Sequence, residues 1–157
     1  MENIDLNYIC TTIGNLARMP IRIFQNSAQI FYRSVVYLPK DPITAFRDEI
    51  LAVDSHVSYF VTPYFHYYGI LNSGEYKIII GPTFQVKQSD QTLRELAFLC
   101  DVTKDETKEF LDGMHSILPM PLDSILQILC VVNYIVNNEK LTINDIAIHE
   151  KEQEKLT

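Results

Sequence analysis

His56-Val-Ser-Tyr-Phe-Val-Thr-Pro-Tyr-Phe-His-Tyr-Tyr-Gly-Ile-Leu-Asn-Ser-Gly-Glu-Tyr-Lys-Ile-Ile-Ile80 decides the fold. The stretch is rich in Tyr, Phe, Ile and Val, residues that pack well on a pleated surface. His56–Thr62, Tyr64–Leu71 and Tyr76–Ile80 read as three strands. Asn72-Ser73-Gly74 supplies the turn before the third strand, and Gly81-Pro82 is expected to stop it. Tyr76-Lys-Ile-Ile-Ile80 is apolar at nearly every position, so this strand should be covered on both faces.

Upstream, Pro20–Gln25 and Ala28–Arg33 are β-prone runs around Asn26-Ser27, which predicts a hairpin. Before them, Leu6, Ile9, Cys10, Ile13 and Leu16 recur at helical spacing over residues 4–17, and Met19-Pro20 ends that helix. Asp41-Pro42 opens a connecting helix, with Asp as N-cap, Pro at the first position, and Phe46, Ile50 and Leu51 as its apolar stripe.

Downstream the chain turns helical. Ser89 caps a helix over 90–100, and Thr103-Lys-Asp-Glu106 has the spacing of a capping box ahead of Phe110, Leu111 and Met114. Pro121 to about Asn137 is the strongest helix and is expected to be the central core helix, because its apolar residues cover much of its circumference. Thr142 is placed to cap one more short helix. The order is helix, two strands, connecting helix, three strands, then helices. That order predicts an α+β, PAS/GAF-like five-stranded antiparallel sheet with a connecting helix, an N-terminal helix and a C-terminal helical segment. Residues 1–148 are read as one domain, with the sheet region about 20–85 and the C-terminal helices about 89–148. Residues 149–157 form a polar tail expected to fray.

The 157 residues carry 13 basic and 20 acidic side chains, a net charge of −7. No Lys/Arg cluster is present to neutralise phosphates, so direct nucleic-acid binding is not expected. Cys10, Cys100 and Cys130 are odd in number and widely spaced, which suggests buried free thiols and neither disulfides nor a zinc site. The start, Met1-Glu-Asn-Ile-Asp5, lacks the basic residues of a signal peptide. The longest apolar stretch, Ser124–Val136, contains Gln127 and Asn133 and falls short of the roughly 20 apolar residues a bilayer span needs. A cytoplasmic location without membrane contact is the expectation.

The chain contains no Gly-x-Ser-x-Gly, no P-loop, no Gly-x-Gly-x-x-Gly and no His-Glu-x-x-His. No enzymatic activity, cofactor or metal is expected. His56 and His66 could approach across neighbouring strands, but only Asp54 lies close in sequence as a further ligand; surface and strand-end histidines are the plainer reading. The aromatics Tyr59-Phe60 and Tyr64-Phe-His-Tyr-Tyr68 admit two readings. They fill a sheet covered on both faces, or they line a pocket between sheet and connecting helix with phenols and an imidazole as polar handles. On the second reading alternation lets His66 and Tyr68 share a face, and Arg33 supplies a cation for an anionic ligand. Phe31 and Tyr59 complete that candidate ligand-binding set. A solvated Arg33 at a strand end is the competing reading.

Tyr59-Phe-Val-Thr-Pro-Tyr-Phe-His-Tyr-Tyr-Gly-Ile70 and Tyr76-Lys-Ile-Ile-Ile-Gly-Pro-Thr-Phe84 resemble segments in N-terminal domains of AraC-type transcriptional regulators from Gram-positive bacteria. Arg94-Glu-Leu-Ala-Phe98 and Met114-His-Ser-Ile-Leu-Pro-Met-Pro-Leu-Asp-Ser-Ile-Leu-Gln-Ile-Leu129 are similar to the helices that follow. The resemblance covers most of the chain as a pattern of ordinary residues. It implies a sensor half for a small-molecule effector. DNA would be read only by a C-terminal pair of helix-turn-helix motifs, which these residues do not contain. A homodimer is the expected assembly, and a ligand-free dimerisation or protein-interaction module is the alternative. The family carries no fixed set of ligand residues onto this chain.

Overall fold

The structure, a computed structural model, describes residues 5–146. Helix α1 (Leu6–Ala17) starts at Asp5, whose side chain accepts from the Tyr8 amide, and ends at Arg18 in the left-handed region. Strands β1 (Ile21–Gln25) and β2 (Ala28–Arg33) follow as a hairpin. Both turn residues, Asn26 and Ser27, have positive φ. That conformation matches the right-handed twist of the flanking strands.

A connector then crosses the sheet: a 3-10 turn over Pro42–Phe46, N-capped by Asp41, running directly into α2 (Arg47–Ala52). Strands β3 (Val57–Val61), β4 (Tyr67–Ser73) and β5 (Tyr76–Thr83) complete an antiparallel sheet of order β2-β1-β5-β4-β3. The chain continues through α3 (Asp90–Leu99), a 3-10 turn over Lys104–Glu106, α4 (Thr107–Ser116) and α5 (Leu122–Asn137), and residues 143–146 are again helical behind Thr142. This is the α+β five-stranded antiparallel arrangement expected from the sequence.

Because β5 lies at the centre, alternation along it sends side chains into two separate cores. Ile78 and Ile80 join Ile21, Ile23, Val57 and Leu71 on one face, under Cys10 of α1 and Ile125, Leu126, Leu129 and Val132 of α5. Ile79 joins Phe24, Tyr68 and Ile70 on the other face, under Ile43 and Ile50 of the connector. Gly69 sets the depth at which α5 settles, since a Cβ there would come within 2.9 Å of Leu129 Cδ2. Past the ends of β2 and β5, α3 and α4 form a third core with Val36 and Phe84. Phe46 of the connector packs against both this core and the connector core.

Four sequence expectations change. Strand β4 begins at Tyr67, not Tyr64, because Thr62 turns the chain: its Oγ1 accepts from the amides of Tyr64 and His66, and its carbonyl accepts from Phe65 N. Gly81-Pro82 does not stop β5, which continues to Thr83. Gly81 has φ of 138°, where a Cβ would lie 2.6 Å from the Tyr67 carbonyl oxygen, so glycine alone fits and the strand passes as an irregularity. The Thr103 and Glu106 side chains bond each other rather than the backbone amides of a helix start, and α4 begins only at Thr107, after the 3-10 turn. Helix α5 is a covering helix, not an enclosed central one, for Val131, Tyr134 and Ile135 face outward. The tail 149–157 lies outside the described residues.

Candidate functional site

Strand β1 reads Ile21-Arg22-Ile23-Phe24. Since Ile21 and Ile23 face α1 and α5, alternation turns Arg22 and Phe24 toward the connector. Arg22 is fully buried there. Its Nε and Nη2 donate to Asp41 Oδ2 and Oδ1, each at 2.6 Å, and its Nη1 donates to the Gly81 carbonyl at 2.9 Å. The two-pronged contact is the geometry that makes a guanidinium–carboxylate pair strong. The guanidinium carbon lies 5.6 Å from the Tyr32 ring centroid and 5.7 Å from that of Tyr68, within cation–π range of both.

The electrostatics follow from this packing. Burial disfavours the Arg22 charge, but Asp41 more than compensates and holds the pKa above its ordinary value. Burial also raises the phenols of Tyr68 and Tyr32, with Asp41 adding to both and Arg22 opposing. The result is a buried cation flanked by two neutral rings and closed by one carboxylate. That carboxylate comes from the connector, while every other group comes from the sheet. Asp41 keeps 21% of its side chain exposed, and Tyr32 is 40% exposed, so the pair opens to solvent at those two residues.

The five candidate residues named from the sequence do not share one face. Tyr68 is buried beside Arg22. Phe31 pairs with Ile23 and Tyr59 with Gly69, and both are half-buried against the α1/α5 core on the opposite face. Arg33 pairs with Ile21, is exposed, and donates from Nε to Asn15 Oδ1 of α1 at 3.3 Å. His66 belongs to the Thr62 turn and is buried with its ring centroid 5.4 Å from that of Phe84. Its Nε2 and the Thr83 hydroxyl have no hydrogen-bond partner among the described residues. Burial pulls the His66 pKa down to about 4, so the ring is neutral at pH 7. His56 and His66 stand at opposite ends of the β3–β4 pair, and His56 Nε2 instead lies 2.9 Å from Glu139 Oε1.

The sequence reading took Asp41 only as a helix cap and missed Arg22 and their pairing, yet two signals marked them. An arginine that alternates with inward apolar residues on a strand covered on both faces has to be buried and needs an anion. No Asp or Glu occurs between Asp5 and Asp41, which makes Asp41 the first acidic residue after the strand.

On the opposite layer, α5 exposes Val131, Tyr134 and Ile135. With Cys130, Lys140 and Leu141 they line a largely apolar cleft of about 360 Å³. Helix α1, packed on the same sheet face, exposes Tyr8 and Leu16, the latter at 78%. Burial pushes the Cys10 thiol up to about 12 and that of Cys100 up to about 11, so neither supplies a thiolate at neutral pH. Among the described residues no group of three His, Cys, Asp or Glu side chains is arranged to hold a metal ion, and no helix is long and apolar enough to cross a membrane. Searches against protein-family models, curated proteins and solved structures returned no match to this chain.

Proposed function

We propose that these residues form a regulatory domain of an AraC-type transcriptional regulator, acting by association with a second copy and without catalysis of its own. DNA would be contacted through a separate helix-turn-helix unit. The outward apolar row of α5 carries this reading: Val131, Tyr134 and Ile135 are at least 42% exposed on a helix whose other side is buried. A domain that worked alone would gain nothing from leaving such a row in water, since clustered exposed apolar side chains mark contact surfaces. Tyr8 and Leu16 of α1 extend apolar character along the same layer.

Sedimentation equilibrium tests the proposal. A dimer is expected, and Val131→Asp with Ile135→Asp should weaken it by tenfold or more, about 1.4 kcal/mol, while leaving the circular dichroism spectrum unchanged. A wild-type chain that stays monomeric at high micromolar concentration would rule the dimer out.

Effector sensing, the second mode, is favoured by the Arg22 site. Its connector reaches α3 directly, for Pro42 accepts from Cys100 Sγ at 3.6 Å and Phe46 packs on both cores. A change at Asp41 would therefore be felt by the helices that follow residue 88.

A further inference from the structure

We propose that Arg22 is a carboxylate-binding site that Asp41 holds closed, and that its ligand is a small organic carboxylate which takes the place of the Asp41 side chain. The proposal deepens the effector-sensing mode. It rests on the regulatory reading only for the consequence of binding, not for the binding itself.

The sheet builds a complete receptor for a carboxylate. Arg22 presents Nε and Nη2 as a fork, and Nη1 is anchored to the Gly81 carbonyl at 2.9 Å, which fixes the plane of the guanidinium. Tyr32 and Tyr68 flank it at 5.6 and 5.7 Å. None of these groups belongs to the connector. The single connector group is the Asp41 carboxylate, and it occupies both prongs of the fork. A carboxylate from another molecule can make the same two bonds without disturbing any contact that Arg22 has with the sheet.

A buried guanidinium has to be paired with an anion, because removing the partner strands an uncompensated charge. The fork is therefore occupied nearly all the time, and the choice is between two occupants. Asp41 is suited to leaving. It is partly exposed, it precedes a short 3-10 turn as its N-cap rather than sitting inside a helix, and with Tyr32 it forms the opening to solvent. A ligand whose carboxylate enters there points the rest of its body outward past Tyr32.

Displacement has a defined consequence. Asp41 Oδ1 also accepts from the Ile43 amide at 3.0 Å, so losing Asp41 from the fork alters the cap of the connector. Pro42 and Phe46 then carry the change to Cys100 and the α3/α4 core. Because Asp41 competes inside the molecule, the apparent affinity of wild type is lowered by the small fraction of time the fork is free.

Asp41→Ala removes the competitor. Acetate, succinate and benzoate are titrated into wild type and variant, with chloride at matched ionic strength as control, and the Arg22 Nε–H and Ile43 amide resonances are followed by NMR. The variant should bind at least one of the three with the Arg22 Nε–H shifting, at least tenfold tighter than wild type. Wild type should show the same two resonances responding at higher concentration. If Asp41→Ala is unfolded in chloride, its folding on addition of acetate is the equivalent result, and Asp41→Asn, which keeps the shape without the charge, serves as the second variant. Carboxylates that act no differently from chloride on both variants would overturn the proposal. So would a wild type whose Arg22 and Ile43 signals ignore all three. Neither outcome depends on the oligomeric state: a monomer that binds carboxylate retires the dimer reading and keeps this site.

Discussion

His66 and Arg22 show what burial does to two titratable side chains given different partners. His66 lies against Phe84 with no partner for its Nε2 among the described residues, and its pKa falls to about 4 from an ordinary 6.5. The folded state therefore declines a proton that the unfolded chain takes up once the pH drops below 6.5. Stability from this group is fully present above pH 6.5 and is lost progressively down to about pH 4, a change of roughly 3 kcal/mol. His66→Phe should flatten the pH dependence of urea unfolding across that window relative to wild type; an unchanged slope would show that another group controls it. Arg22, by contrast, keeps its charge because Asp41 accompanies it into the interior. Asp41→Ala at neutral pH without added carboxylate should cost about 3 kcal/mol or more, read as a fall in the thermal midpoint, since one member of a buried pair is left alone.

The elements respond to substitution according to how closely they approach each other. Helix α5 rests on β4 where Gly69 meets Leu129, with 2.9 Å available to a Cβ. Gly69→Ala should destabilise by about 1–3 kcal/mol through overpacking, and Leu129→Ala by about 2–5 kcal/mol through a cavity. The double substitution should cost measurably less than the sum, because the new methyl enters the space the leucine vacates. Strict additivity would place the strain of Gly69→Ala elsewhere. At the end of α1, Arg18 adopts φ of 55°, a conformation that charges a non-glycine residue a steric cost. Arg18→Gly should raise stability by up to about 1 kcal/mol. Asn138, at φ of 53° after α5, is a residue that tolerates this conformation, so Asn138→Gly should change little. Chemical denaturation of the two variants side by side measures the contrast.

At the scale of the whole molecule, one sheet separates a helical layer with outward apolar side chains from a connector layer holding a buried ion pair. Much of this was legible in the chain. The Asn-Ser turn, the Asp41-Pro42 helix start, the Ser89 cap and the doubly covered Tyr76–Ile80 strand all rest on local chemistry: turn residues with positive φ, capping oxygens and apolar runs. Such signals lie within a few residues of the structure they specify, so the two-strand, connector, three-strand order could be read directly. The start of β4 was misjudged because the Thr62 hydroxyl collects amides from Tyr64 and His66, a choice that β propensity does not record. The candidate site was read less well. Tyr68 was found, but its company was not: Phe31 and Tyr59 fall on the other face and Arg33 on the surface. The arginine beside it is Arg22, joined to a carboxylate 19 residues away, and its other hydrogen-bond partner, Gly81, is 59 residues away. The sequence by itself determined which segments are strands and helices, because those choices are governed by backbone conformation and periodicity close at hand. Only the tertiary structure decided which charge meets which, because burial removes water from a cation and the nearest available anion is set by how the connector crosses the sheet.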